Sequence, residues 1–291
     1  MGTSTYMLLT KAEALQEDKE LQKQILQWCT DHWNRIPKYV PPYLWKKLTK
    51  TAKDPFGYLY LLYKIHKPGL TTCPVCSDCA STPHALGPYI NETLQSMVKT
   101  QQTYFKDSFA LKNILDTLHI PPNASLFTYN TISMYTNIDT EVCINRLSDY
   151  LHYPETWFCF KHYTPKALIE AIKLVMCNNR MKFGDVFVRQ VSGIATSMSL
   201  APTIANLYVA IYEQCHLLKY LETSLSFLKH FIDNDIGIWL HNADPDTDKQ
   251  NWQEFNAMVN GSSIPWTFSP CSQQITFMDI TISIENGKLI T

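Results

Sequence analysis

The chain has 291 residues, 45% of them apolar and 12% aromatic, enough to fill a sizeable core, so disorder is excluded as the default. Charged residues are 18%, and 25 Lys and Arg stand against 26 Asp and Glu for a net charge of -1; this excludes the strongly basic coat that makes nucleic-acid binding evident from composition alone. No GxxxxGK[ST] or GxGxxG loop occurs, no run approaches the ~18 apolar residues of a membrane span, and no basic-then-apolar leader opens the chain. The expectation is an intracellular protein, nuclear or cytoplasmic, with its nine cysteines reduced.

In chain order, Thr10 and Glu13 form a capping box, and Leu15, Leu21, Ile25, Leu26 and Cys29 give a helical stripe predicted to end near Ile36, before Pro37. Lys46, Lys47, Lys50 and Lys53 follow, with Tyr43 and Trp45 beside them: a solvated helix face, or a track for a nucleic-acid backbone. Tyr58 to Ile65 is apolar and aromatic throughout and predicts a strand, closed after Lys64, His66 and Lys67 by Pro68-Gly69. The stretch 71–86 is read as irregular, and 88–105 and 108–118 as helices. Ser125 to Tyr129 predicts a short buried strand. Asp139 caps a helix through Leu151, and Thr164-Pro165 opens another to Cys177. Arg180 to Gln190 is a hairpin turning at Gly184-Asp185, and 201–220 is the longest apolar helix. A second hairpin spans 227–240, with Asp233-Asn234-Asp235 at its tip. A helix over 246–259 and a strand over 277–284, turning at Asn286-Gly287, complete the chain. Helices mixed with hairpins argue for α+β rather than a doubly wound sheet.

Carboxylates held at the tip of a rigid hairpin suit a divalent-metal site for phosphoryl transfer. By themselves, Asp and Asn are also ordinary turn residues. The surrounding order of segments decides between these readings. Lys64-Ile-His-Lys-Pro is followed by Cys73-Pro-Val, then Asn130-Thr-Ile-Ser-Met-Tyr135-Thr-Asn-Ile. Gln190-Val-Ser-Gly193-Ile194-Ala-Thr196-Ser197-Met-Ser-Leu-Ala201-Pro202, Phe231-Ile-Asp-Asn-Asp235 and Ile275-Thr-Phe-Met-Asp-Ile come next.

This ordered set, over roughly 58–291, resembles the reverse transcriptases of non-retroviral retroelements, Penelope-like elements and their relatives in particular. The resemblance implies a right-hand polymerase: an N-terminal helical extension over 1–57, a fingers-like region over 58–120 and a palm-like region over 121–291. It implies a small antiparallel palm sheet flanked by helices, with the thumb absent or incomplete because the chain stops where one would begin. It further implies RNA-directed DNA synthesis on an RNA template and a DNA primer, with dNTP substrate and two Mg²⁺ ions. Asn130, Asp233, Asn234 and Asp235 then stand at the catalytic positions, Asp233 and Asp235 being the candidate metal ligands. Lys64, Lys67 and Cys73 stand beside the triphosphate and Tyr135 at the sugar gate. Gln190, Gly193, Ile194, Thr196 and Ser197 line the nucleotide and template.

Several of these positions depart from the family's pattern. The first carboxylate position is Asn130, the second of the tip pair is Asn234, the clamp arginine is Cys73, and the Met-Gly pair is Thr196-Ser197. An amide brings no negative charge to a cation, and a lost unit charge at about 4 Å is worth about 4 kcal/mol at an effective dielectric of 20. The sequence therefore predicts an impaired, degenerate polymerase site. Two other readings stand beside it: a non-catalytic nucleic-acid-binding remnant, and a small metallohydrolase using Asp233 and Asp235. Cys73, Cys76 and Cys79 crowd one short loop, a poor spacing for tetrahedral zinc, so neither zinc nor a disulfide is expected there. Cys215-His216 is read as core packing, and Asp244, Asp246 and Asp248 as a solvated loop.

Overall fold

In the computed structural model, residues 5–48, 55–63, 69, 72–78, 81–131, 133–160 and 163–291 are described. In chain order the elements are β1 (Tyr6–Leu9), α1 (Lys11–Asp31), α2 (Val40–Leu48), β2 (Gly57–Tyr63), β3 (Thr72–Ser77), α3 (Gly87–Val98), α4 (Ser108–Leu115), β4 (Ala124–Thr131), α5 (Met134–Asn137), α6 (Thr140–Leu151) and α7 (Pro165–Met176). They continue with β5 (Arg180–Phe183), β6 (Val186–Gln190), α8 (Ala201–His216), β7 (Leu225–Phe231), β8 (Asn234–Leu240), α9 (Pro245–Asn260), β9 (Trp266–Phe268), β10 (Gln274–Phe277), β11 (Ile280–Glu285) and β12 (Lys288–Ile290). Helices and sheets are mixed, so the class is α+β. The chain divides into two compact units, Met1–Met97 with Tyr135–Ile204, and Val98–Met134 with Ala205–Thr291.

The first unit is built on a five-stranded sheet in the order β1-β6-β5-β2-β3, with β2 and β5 parallel and the other pairs antiparallel. The Thr10–Glu13 capping box opens α1, the Glu13 amide donating to Thr10 Oγ1 at 3.2 Å and the Thr10 amide to Glu13 Oε2 at 2.7 Å. The helix stops at Asp31 rather than near Ile36. The chain is held there by tertiary contacts: Trp28 Nε1 donates to the Ala167 carbonyl at 2.9 Å, and His32 Nε2 meets Glu170 Oε2 at 2.7 Å. Glu17 joins α1 to the sheet by accepting from both Arg180 and Arg189. The stretch read as irregular contains β3. Pro74 is tolerated there because β3 is an edge strand, paired on one side only, where a missing N–H costs nothing.

The second unit carries an antiparallel four-stranded sheet in the order β7-β8-β4-β9, and a three-stranded sheet β10-β11-β12. One face of β4 and β8 presents Leu126, Ile236 and Ile238 to a cluster with Phe105, Leu111 and Leu115. The other face presents Phe127, Tyr129 and Trp239, and Phe127 and Trp239 pack edge-on or tilted against Phe255 of α9. Gly237 lies under the Phe127 ring, where an added Cβ would fall 2.3 Å from Phe127 Cζ; only glycine lets the strand and ring approach this closely.

Other predicted elements are shorter or divided. The helix expected over 88–105 ends at Val98, because the following segment pairs along β7: the His230 amide donates to the Thr103 carbonyl at 2.8 Å, and Lys229 Nζ to the Gln102 carbonyl at 2.6 Å. The apolar helix from Ala201 ends at His216, with a short 3-10 turn over Leu218–Glu222. Cys215 and His216 are exposed, not core, with the His216 ring tilted against Tyr212 at 4.5 Å between ring centroids. The strand expected over 277–284 is split between β10 and β11 by a tight turn at Met278-Asp279. Asp248 is not a solvated loop residue either. It lies on α9 and accepts from Trp239 Nε1 and the Asn242 amide, with His241 Nδ1 at 2.9 Å.

Candidate functional site

The hairpin of β7 and β8 turns at Ile232 and Asp233, since Phe231 pairs directly with Asn234. Asn234 and Asp235 are thus strand residues and not part of the tip. Ile232 has φ +55°, a conformation that crowds its β-branched side chain and costs about 1–3 kcal/mol where surroundings enforce it. The enforcing contacts are the Ile232 amide to Asn206 Oδ1 of α8 at 3.2 Å, and the Thr131 amide to the Asp233 carbonyl at 3.1 Å. This second bond ties the turn to the end of β4.

Register then sorts the four predicted catalytic positions. Asn130 is the direct partner of Asn234, and Tyr129 of Asp235. Directly paired residues share a face and neighbours alternate, so Asn130 and Asn234 project on one face while Asp235 projects on the other. Asn130 is exposed, and Asp233 and Asn234 are half-buried. Asn234 Nδ2 donates to Asp233 Oδ1 at 2.8 Å. The rim therefore gathers Asn130, Asp233 and Asn234: two neutral amides and one carboxylate, already engaged by an amide.

Asp235 is fully buried. Its Oδ1 lies 2.6 Å from His230 Nδ1, and the same nitrogen is 3.9 Å from Glu213 Oε1. Tyr129 donates its hydroxyl to Glu213 Oε1 at 3.2 Å. Burial, then the Asp235 charge, pushes the Glu213 carboxyl up to about 7. Burial also drives the Asp235 carboxyl well above the usual range and pulls the His230 imidazole down. Sequence reasoning passed over Glu213 and His230. The available signal was a lone acid in an apolar helix, Ala201–His216, and a histidine inside the apolar run Leu225–Phe231.

Two Mg²⁺ ions need several anionic oxygens within reach. One carboxylate and two amides at the rim do not fit that requirement, and the remaining carboxylate of the predicted set turns into the core.

In the first unit, the segment after β6 is folded onto α5 and β3. The Ile194 amide donates to the Tyr135 carbonyl at 2.7 Å, Thr140 Oγ1 to the Gly193 carbonyl at 2.9 Å, and Gln190 Nε2 to the Ser192 carbonyl at 3.0 Å. Gly193 has φ +86°, and a Cβ there would sit 2.9 Å from the Tyr135 carbonyl, so the bend requires glycine. Tyr135, Gln190, Gly193 and Ile194 are thereby brought together. Thr196 Oγ1 accepts from the Cys76 amide of β3 at 3.1 Å, and Ser197 is exposed. Cys73 pairs with Leu62 in the β2–β3 register. Lys64, Lys67 and Cys79 lie outside the described residues, as do Lys50 and Lys53. A groove of about 880 Å³ in the same unit, with Trp28, Glu170, Lys173 and Arg189 among its walls, shares only Gln190 with the predicted site.

No protein-family model matches the chain, and no curated protein matches it. Solved structures do. Apo telomerase from Candida tropicalis, truncated from the C-terminal domain, matches with a TM-score of 0.54 at 10% identity, over 94% of this chain and 60% of that one. Telomerase from Candida albicans in complex with a TWJ fragment of telomeric RNA matches at 0.55 and 10%, over 94% and 50%. An RdRp complex matches at 0.56 and 12%, over 96% of this chain and 25% of that chain. The chain spans 60% or less of each of these. At such identities the likeness establishes the fold alone, which is nucleic-acid polymerase-like. Among the described residues, no helix is long and apolar enough to cross a membrane.

Proposed function

We propose that this chain is a reverse transcriptase domain of a non-retroviral retroelement, Penelope-like or related, that binds nucleic acid but polymerises poorly. The observation that carries the reading is the pairing of Asn130 with Asn234 beside the Asp233 turn, within a polymerase-like fold. The motif series places the first palm carboxylate and the tip pair at those positions, and the register makes them neighbours. Telomerase is among the structures this chain matches, and the Candida albicans one is in complex with a fragment of telomeric RNA.

In this reading 58–120 serve as fingers and 121–291 as palm, behind a helical extension over 1–57. Template RNA and primer DNA lie along the palm, Tyr135 faces the sugar of an incoming dNTP, and the segment from Gln190 through Gly193 and Ile194 to Thr196 and Ser197 supports it. Lys64, Lys67 and Cys73 approach the triphosphate. With Cys73 in place of arginine, the bidentate phosphate grip is lost. With two amides at the rim, Asp233 is left to meet any cation alone, so the same surface favours the second reading: a nucleic-acid-binding remnant without catalysis.

The test pairs two measurements on the full chain. Filter binding of a primed RNA template across a salt series is expected to show binding that falls steeply with salt as phosphate contacts release counterions. Single-nucleotide extension of the same primer is expected to be at background. Extension matching that of a carboxylate-restored variant would overturn the impaired-site reading; absence of salt-dependent binding would overturn both.

A further inference from the structure

The fully buried trio behind the hairpin has no role in the reading above. We propose that Glu213, His230 and Asp235 form a structural site for one divalent transition cation of the zinc class, joining α8, β7 and β8. One ligand atom from each residue lies within 4.8 Å of the other two. Each residue is at most 1% exposed.

The surroundings of the trio leave some of its polar atoms unpaired. Glu213 Oε2 and Asp235 Oδ2 are buried with no hydrogen-bond partner, and His230 presents Nδ1 to both carboxylates, 2.6 Å from Asp235 Oδ1 and 3.9 Å from Glu213 Oε1. Buried polar atoms are almost always partnered, and a cluster of orphans calls for an ion or a water. Both carboxylates must be ionised to hold a cation, which would set two negative charges in a fully buried layer beside Tyr129. Isolated buried charge is expensive, and a divalent cation cancels it in full. One imidazole nitrogen with two carboxylate oxygens suits Zn²⁺ better than Mg²⁺, which prefers an all-oxygen, largely hydrated shell. Asp233 adds negative potential at His230 and Asp235. Three ligands on three elements would fix β7 against β8 just behind the strained Ile232 turn.

The site is separable from the thiols of Cys73, Cys76 and Cys79 by experiment. The 291-residue chain, dialysed against metal-free buffer after loading with Zn²⁺, is expected to retain one equivalent by elemental analysis. Its thermal midpoint is expected to rise with Zn²⁺ and fall with a chelator. Replacing Zn²⁺ by Co²⁺ is expected to give visible d–d bands without the near-ultraviolet charge-transfer band of thiolate ligation. Glu213→Gln, close in shape, is expected to weaken binding by more than about tenfold, the lower end of what losing even a ligand's supporting partner costs. A Cys73/Cys76/Cys79→Ser triple variant is expected to bind as the parent does. No retained metal together with no thermal shift would overturn the proposal and leave the trio sharing protons instead. Metal lost in the triple variant but kept in Glu213→Gln would overturn it in favour of the thiols. Because no nucleic acid enters these measurements, their failure leaves the polymerase-like reading untouched.

Discussion

Two faces of one hairpin meet opposite environments. At the rim, Asn130, Asp233 and Asn234 face outward with a single carboxylate among them. One residue further along β8, Asp235 is wholly buried against His230 and Glu213. The difference is one step of strand alternation, and it decides whether a carboxylate is available to a ligand or is a core element whose charge must be cancelled internally. Counting aspartates near the tip therefore overstates the anionic charge that the rim can offer.

The largest expected effect comes from reversing the contrast. Asn130→Asp with Asn234→Asp puts carboxylates back on the face that now carries amides. Each is worth about 4 kcal/mol toward a cation at about 4 Å by the Coulomb estimate. Mg²⁺ titration by calorimetry is expected to show a gain of several hundredfold or more, with primer extension still weak until Cys73→Arg is added. Equal Mg²⁺ affinity in parent and double variant would mean that the rim is not where the cation binds.

The buried face can be broken instead. Asp235→Ala leaves His230 Nδ1 without its partner, and a buried polar group left unsatisfied costs about 1–3 kcal/mol. Urea unfolding is the measurement. Asp233→Ala, at the half-exposed turn, is expected to cost less than 1 kcal/mol on the same scale, typical of surface sites. Equal losses at the two positions would erase the contrast.

A pH series sharpens it further. Glu213 titrates up to about 7 in the fold against 4.5 for the free side chain, so the folded protein holds this proton more tightly. Its contribution to stability is full below about 4.5 and is lost as pH rises to 7 and beyond, with a slope of at most about 1.4 kcal/mol per pH unit. The metal-free chain is expected to show this decline, and Glu213→Gln to show a shallower one, because the raised Asp235 carboxyl contributes a decline of its own. Gly237→Ala reports on the register itself. Its new Cβ meets Phe127, and overpacking of this kind costs about 1–3 kcal/mol; a neutral effect in urea would contradict the β4–β8 pairing at Phe127 and Gly237.

What the sequence by itself determined was local. Thr10 with Glu13, Asp139, and Thr164 with Pro165 start their helices where their side chains can reach the free amides of the first turn. Gly184 and Asn286-Gly287 close hairpins because those turns need positive φ. The strand under Asn130 was legible from its apolar run, and the hairpin before and after Asp233 from the same pattern. Lost to sequence reasoning was whatever depends on a distant partner. The stretch 71–86 reads as irregular, yet β3 lies within it, Pro74 included, because β2 pairs along it. The helix after Gly87 stopped at Val98 because the next residues pair with β7, over a hundred positions away. Above all, no local pattern could tell that Asp235 faces Tyr129 and Glu213 and not the rim with Asp233. That is set by the pairing of β4 with β8 and the packing of α8 above them, and a carboxylate's chemistry depends on which face of the sheet it occupies.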